Sequence, residues 1–474
     1  MMLARKSLFL LIATFVLNFL GAGMLLADSG HGLALTALDR YVRAPDDKYR
    51  YSILQMIDGD GYTTYVLEMI SQQWLTEAEV NLPIWEHYMV VVAPDEVDSD
   101  IGFLTITGGS KSRSAPTEAL PSDIKRALET NTVVTTLYMV PNQPLVFVND
   151  NGLQRTEDAI IAYTWDKFFR GGNEKWPLRL PMTKAAVRAM DTVTALMASE
   201  QGGDIEVDQF VVAGASKRGW TTWTTAIVDE RVVAIMPIVI DMLNVGESFK
   251  HHFSVYGAYS LAIIDYIVSG NVNWIGTSEW DDLMDLVEPY EYRDRLELPK
   301  FLLNSTGDEF FIPDSWQFYW NDLIGEKHVR YVPNSNHSMD GTDVLDSVDA
   351  WYHAIVHNVK MPRYSWNVDD DGVITVFSLD KPSQVLLWQA HNPESRNFTQ
   401  AKLGKAYTSR PLTEVEMGVY QVKLNPPKQG YTAYYVEMHY PSGISKPFKF
   451  STGIKVVPDV TDYEWQFTPD NSRR

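Results

Sequence analysis

Two hydropathy rhythms divide the chain. From about residue 34 to 361, short apolar runs alternate with stretches whose apolar positions recur every three to four residues, the pattern of strands joined by helices. The runs at 101–107 (IGFLTIT), 132–139 (TVVTTLYM), 209–213 (QFVVA), 232–240 (VVAIMPIVI) and 300–304 (KFLLN) are apolar almost throughout, as strands covered on both faces must be. Two earlier runs, 65–71 (YVLEMIS) and 86–92 (EHYMVVV), predict strands that pair antiparallel. A helix is predicted over 182–197. This order predicts βαβ units feeding a largely parallel sheet, with chemistry to be sought just beyond the carboxyl ends of the strands.

After Pro362 the rhythm changes. The segments 364–368, 373–379, 384–390, 420–424, 431–440 and 447–451 are short and alternating, separated by Gly, Asn, Asp and Pro, with no helical period between them. They predict a compact antiparallel β-sandwich followed by a loose tail. The chain therefore divides into a segment at 1–27, an α/β domain at 28–362 and a β-domain at 363–474.

The first segment carries Arg5 and Lys6, an apolar run from Leu8 to Leu17, then Gly21, Ala22 and Gly23 before Asp28. That order predicts a signal peptide, cleaved near Gly23 or Ala27, and a protein exported to the periplasm or secreted. An uncleaved anchor over residues 7–26 is the competing reading. No later run reaches eighteen apolar residues, so no stable membrane insertion is expected once the signal is removed.

Composition narrows the chemistry. With no Cys, the chain has no disulfides, thiol chemistry or thiolate metal ligands. A net charge of −21 argues against nucleic acid as a partner. The sequence has no phosphate-binding or dinucleotide glycine pattern, so no cofactor is expected. His353 and His357 stand four apart in HAIVH, but the Glu of a zinc helix is missing, so packing is the reading preferred for them. Asn367, Asp369, Asp371 and Gly372 imitate the start of a calcium loop, yet Ser378 stands where the bidentate Glu is needed, and a polar hairpin turn is expected there; no metal site is predicted.

One stretch carries positive chemistry. The apolar run QFVVA leads into Gly214-Ala215-Ser216-Lys217-Arg218-Gly219 and then the helix-compatible WTTWTTA. A serine at the tip of such a strand-turn-helix elbow is lifted above the sheet as a nucleophile, and the following amide, that of Lys217, sits at a helix N-terminus facing a developing oxyanion. Arg218 occupies the place of the second glycine of G-x-S-x-G, with Gly219 one later. A base and an acid should follow downstream in the order acid, then histidine. Asp308 lies in the turn after 300–304, and His337 lies in the loop PNSNHS after an apolar strand at 329–332. Asp241, at the end of 232–240, is the alternative acid. The glycine pair after 101–107 places the amides of Gly109 and Ser110 as the second half of an oxyanion hole. Aromatic-rich insertions at 140–181 and 244–299 are expected to cover the site as a lid or pocket wall.

The blocks GASKRGW (214–220), IDMLN (240–244), YGAYS (256–260), NSTGDEFF (304–311) and PNSNHS (333–338) give the chain a resemblance to the PhoPQ-activated pathogenicity-related protein family, which includes autocrine proliferation repressor proteins. The resemblance runs from about residue 38 to 451. It implies an α/β-hydrolase domain related to prolyl oligopeptidase-like enzymes, a C-terminal β-domain, export, and association with virulence or growth control. It maps the family's nucleophile, acid and base onto Ser216, Asp308 and His337, and makes Arg218 a family trait. It names no reaction. The residues favour a serine hydrolase acting on a small-molecule, glycan-ester or peptide substrate, with ester slightly preferred over amide. A secreted signalling or binding protein that keeps the hydrolase fold without depending on turnover is the alternative.

Overall fold

The computed structural model describes residues 35–466, so the expected signal segment at 1–27 and the tail at 467–474 lie outside the described residues. A nine-stranded sheet organises the chain from residue 36 onward. Its strands are β1 (Arg50–Asp58), β2 (Tyr62–Gln73), β3 (Ile84–Pro94), β4 (Ile101–Ile106), β5 (Val134–Leu137), β6 (Gln209–Ala215), β7 (Val232–Ile238), β8 (Lys300–Ser305) and β9 (Lys327–Val332). Their order across the sheet is β1-β2-β3-β5-β4-β6-β7-β8-β9. The first three strands pair antiparallel, and from β5 onward every pairing is parallel.

Alternate residues of the central strands enter two different cores. Val212, Ile235, Leu302 and Val329 face one, Val211, Met236, Phe301 and Leu303 the other. Both faces are covered, which is why these strands read as unbroken apolar runs rather than alternating ones. On the first face pack α1 (Ala37–Arg43), α4 (Arg179–Met197) and α5 (Lys217–Val228). On the second lie α2 (Pro121–Thr130) and α9 (Val344–Val356), with the β-sandwich beside them. Helix α3 (Asp158–Gly171) comes from the first aromatic-rich insertion, and α6 (Val245–Tyr256), α7 (Ile264–Val268) and α8 (Ser278–Val287) come from the second.

The C-terminal segment forms two antiparallel sheets. One contains β10 (Tyr364–Val368), β11 (Ile374–Ser378) and β14 (Val419–Val422). The other contains β12 (Gln384–Asn392), β13 (Thr408–Pro411), β15 (Tyr431–Tyr440) and β16 (Phe448–Ser451), with β17 (Lys455–Val457) paired to β15. Ile374, Val376, Tyr420 and Val422 of the first sheet pack with Leu387, Val436 and Met438 of the second. This sandwich shares its core with the large sheet. Phe450 stacks on His328 at 4.3 Å and meets Phe301 at 5.2 Å, and the Tyr331 amide donates to Ser451 Oγ at 3.0 Å. The turn at 369–372 is the polar hairpin turn its sequence suggests: the Val373 amide donates to Asp369 Oδ1 at 2.8 Å.

Besides a short hairpin that pairs Leu145–Val146 with Gln154–Arg155, three strands were not anticipated. β1 is an edge strand, mostly exposed, with a bulge between Ile53 and Gln55, and β13 is exposed at all four positions. Neither has a buried face to write an apolar pattern. The third, β17, is three residues long.

Candidate active site

Register brings the chemistry to one edge. Ile106 of β4 lies opposite Gly214, Ala215 opposite Ile238, Ile238 opposite Leu303, and Ser305 opposite Val332. The turns after β4, β6, β8 and β9 therefore emerge side by side.

Ser216 sits between β6 and α5 with φ 58° and ψ −126°, a combination that costs a non-glycine residue roughly 1–3 kcal/mol and persists only where the surroundings enforce it. The enforcement is visible. The Ser216 amide donates to the Ile238 carbonyl at 2.8 Å, and its carbonyl accepts from the Trp220 amide at 3.0 Å. Strand and helix approach too closely for side chains at 214 and 219. A Cβ on Gly214 would stand 2.5 Å from the Arg218 carbonyl oxygen, and one on Gly219 would stand 2.8 Å from Ile240 Cγ2 and 2.9 Å from the Gly214 carbonyl oxygen. The spacing G-x-S-x-x-G is thus the requirement of this elbow, and position 218 is free to carry a side chain.

That side chain reaches sideways. Arg218 Nε donates to the Val140 carbonyl and its Nη2 pairs with Glu157 Oε1 at 2.6 Å, while Lys217 Nζ pairs with Glu157 Oε2 at 3.1 Å and Asp158 Oδ2 at 2.9 Å. Glu157 adopts nearly the same rare backbone as Ser216, φ 52° and ψ −128°. Burial pushes its carboxyl up, but the bond and charge of Arg218, the charge of Lys217 and the bond from Gln143 outweigh burial and hold it at about 2. Gln143 Nε2 donates both to Glu157 Oε1 at 2.6 Å and to the Gly109 carbonyl at 2.8 Å. One carboxylate thereby connects the elbow to the glycine turn after β4. In that turn Gly109 has φ 143°, and among the described residues no acceptor is bonded to the amides of Gly109 or Ser110. Ser110 Oγ bonds instead to Ser112 Oγ at 3.0 Å. Lys217 is the first residue of α5, so its amide has no partner within the helix.

Asp308 and His337 are joined. His337 Nδ1 lies 2.8 Å from Asp308 Oδ2 and 3.0 Å from Oδ1. The carboxylate is nearly buried and also accepts from the Phe310 amide at 2.7 Å, so its orientation is fixed from two sides. The His337 amide donates to Glu309 Oε2 at 3.0 Å, and the Phe310 ring lies 4.3 Å from the imidazole. Phe310, with Phe311, also lines the cavity that contains Ser216.

Asp241 is placed differently. It accepts from the hydroxyls of Tyr319 and Tyr331, at 2.5 and 2.7 Å. Burial raises its carboxyl to about 7, against those two bonds and with the nearby charges of Asp308 and Asp314. Those bonds link it to Tyr331 of β9 and to the turn that carries Tyr319, and neither reaches the imidazole.

The turns bearing Asp308 and His337 are strapped by the sandwich. The Gln400 amide donates to the Gly307 carbonyl at 2.9 Å and its side chain to the Asn334 carbonyl at 2.7 Å. Asn334 Nδ2 donates to the Tyr407 carbonyl at 2.9 Å, and the Tyr407 amide returns a bond of 2.8 Å to Asn334 Oδ1. Behind them Arg396 pairs with buried Asp314 at 2.6 Å, and His251 of α6 bonds the same carboxylate at 2.9 Å. Glu157, Gln143, Glu309, Gln400 and Arg396 escaped the sequence reading. They hold other side chains and loops in place, a role with no motif of its own.

The two insertions form the wall. Trp165 of α3 meets Trp220 at 6.4 Å and Trp280 at 6.1 Å, and Phe169 stacks on Trp274 at 5.1 Å. Among the described residues no helix is long and apolar enough to cross a membrane, and no group of three or more His, Asp or Glu side chains is arranged to hold a metal ion.

The strand order, with a serine elbow after the central parallel strand, is that of an α/β-hydrolase. Comparison with known proteins finds "Autocrine proliferation repressor protein A" of Dictyostelium discoideum 34% identical over 459 residues, covering 90% of this chain and 92% of that protein. Among solved structures, an acetyl xylan esterase from Paenibacillus sp. R4 is 12% identical with a TM-score of 0.46, over 67% of this chain and 91% of that one. A glucuronoyl esterase from Solibacter usitatus is 12% identical with a TM-score of 0.38, over 68% and 90%. The sequence pattern of the PhoPQ-activated pathogenicity-related proteins matches residues 38–399, and the chain belongs to that family.

Proposed function

We propose that the protein is an exported serine hydrolase, acting on an ester in preference to an amide. Ser216 Oγ attacks the carbonyl, His337 takes the hydroxyl proton and returns it to the leaving group, and Asp308 holds the imidazole through Nδ1. The amides of Lys217 and of Gly109 or Ser110 receive the oxyanion. The observation that carries this reading is a serine in a strained elbow together with a bonded His–Asp couple on turns at the same end of the sheet. Domain 28–362 supplies all these groups, and the β-sandwich at 363–474 braces the acid and base turns. A small-molecule, glycan-ester or peptide substrate fits the reading, with no nucleic acid and no cofactor.

The test is turnover of a panel of short acyl esters, glycan esters and peptides by the wild type beside Ser216→Ala. Turnover that disappears in the variant supports the reading, and equal turnover by both removes it. Export is tested separately. N-terminal sequencing should place the mature start between Ala22 and Asp28, and a stable product beginning at Met1 would contradict it.

A further inference from the structure

Arg179, the first residue of α4, lines the cavity beside Ser216 and is only 3% exposed. Its Nη1 donates to the Lys217 carbonyl at 2.9 Å, and its guanidinium carbon lies 4.3 Å from the centre of the Trp220 ring. Those contacts employ one of its five donors and one face. Nε is fully buried with no hydrogen-bond partner among the described residues, and no carboxylate oxygen of those residues comes within ion-pair distance.

The surrounding acids are otherwise occupied. Asp158 accepts from Lys217 Nζ at 2.9 Å and from the Tyr266 hydroxyl at 3.0 Å. Glu288 is held by the amides of Val245 and Tyr290, each at 3.3 Å, and burial pushes its carboxyl up to about 8, so at neutral pH it is largely uncharged. Lys217 and Arg218 each have a carboxylate bonded to them, whereas Arg179 feels the carboxyl groups of Asp158 and Glu288 only from beyond ion-pair distance. A buried cation without a directly paired carboxylate is costly to keep, and this one is kept in the wall of the cavity that contains Ser216.

We propose that Arg179 receives a carboxylate carried on the acyl side of the substrate, so that the preferred substrates are monoesters of short dicarboxylic acids. The inference rests on the serine-hydrolase reading of Ser216. Size agrees with it. The cavity holds about 30 Å³, roughly the room of two water molecules, which suits a group the size of a carboxylate. Asp158 and Lys217 also line the cavity but are paired with each other, and most of the remaining wall, including Trp165, Phe249 and Phe311, is apolar, so that exclusion of water strengthens a charge-assisted pair with the guanidinium. In the reaction Ser216 Oγ forms a bond to the ester carbonyl carbon and the bond from that carbon to the alcohol oxygen breaks. The alcohol leaves with the proton held by His337, and water then cleaves the acyl-enzyme to release the dicarboxylate. The carboxylate on Arg179 is unchanged throughout.

Methanol release from the monomethyl esters of malonate, succinate and glutarate, each beside the matched neutral methyl ester, tests this on the full chain at pH 7. We expect at least one monoester to exceed its neutral counterpart by tenfold or more in kcat/KM. Arg179→Met should invert that ratio, and Arg179→Lys should keep part of it. A role confined to bracing Lys217 or Trp220 would lower both rates together and leave the ratio standing. No preference in the wild type, or one that survives Arg179→Met, overturns the proposal. Should Arg179→Met fail to fold, the wild type still decides: the preferred free dicarboxylate should slow fluorophosphonate labelling of Ser216 at concentrations where a neutral amide of equal length does not, and absence of protection overturns the proposal. Labelling of Ser216 without any charge preference removes this inference alone, whereas absence of both labelling and ester turnover removes the hydrolase reading beneath it.

Discussion

Ser216 and the Asp308–His337 pair lie on turns at the same end of the sheet, yet different parts of the chain hold them. The elbow is fixed by its own strand, its own helix and the neighbouring strand, with Gly214 and Gly219 permitting the approach and Glu157 tying Lys217 and Arg218 to the glycine turn. The turns bearing Asp308 and His337 are fixed from the C-terminal segment, by Gln400 and Tyr407. The proposed nucleophile is thus held by local geometry, and the proposed base by contacts from a second layer of the fold. Damage to the sandwich should reach the chemistry through His337 and leave the elbow itself intact.

The largest expected effect tests whether the two halves act as one unit. Ser216→Ala and His337→Ala should each lower kcat by about 10⁴–10⁶, and the double variant should fall little further, because nucleophile and base serve the same step. Losses that multiply would mean that the halves work independently. Next comes the identity of the acid. Asp308→Asn should cost about 10³–10⁴ in kcat, because the carboxylate fixes the imidazole tautomer, and Asp241→Asn should stay within about tenfold. The reverse order would move the acid to Asp241 and break the comparison.

Smaller effects should separate the two supports. Glu157→Gln weakens the pairs with Lys217 and Arg218 and loosens the Gly109 turn. It should lower kcat about 10- to 100-fold while the His337–Asp308 bond persists, seen as an unchanged downfield imidazole proton resonance. Gln400→Ala should do the opposite, disturbing that resonance and costing about tenfold in kcat with the elbow unmoved.

A last effect falls on stability instead of rate and comes from Asp241. Its folded carboxyl titrates near 7 against 3.8 for the free group, so the folded state holds a proton that the unfolded state releases between those values. Its contribution is fully present below pH 4 and is lost as pH rises through 7. Denaturant unfolding from pH 4 to 8 should therefore show part of the wild-type decline vanish in Asp241→Asn. Glu157 has the opposite sign. Held at about 2 against 4.5 when free, it contributes above pH 4.5 and is lost as pH falls toward 2.

The sequence exposes the elbow half far better than the other. Parallel strands buried on both faces print continuous apolar runs, and an elbow that cannot accommodate a Cβ prints glycines at fixed offsets from Ser216. Asp308 and His337 were legible as strand-end polar residues in the right order. What holds them was not, because Gln400 and Asn334 meet only through folding and neither carries a periodic or motif signal. Arg179 was hidden for another reason: it falls in the insertion ahead of the helix predicted over 182–197, and only burial beside Ser216 without a paired carboxylate distinguishes it. The exposed edge strand β1 went unseen because it has no fully buried face.

The central claim is that Ser216 is a nucleophile activated by His337. It is tested most directly by reacting the protein with a fluorophosphonate and mapping the adduct by peptide mass spectrometry. The account predicts one adduct, on Ser216, absent in Ser216→Ala and strongly slowed in His337→Ala. An unlabelled wild type, or an adduct on another residue that persists in Ser216→Ala, would contradict it.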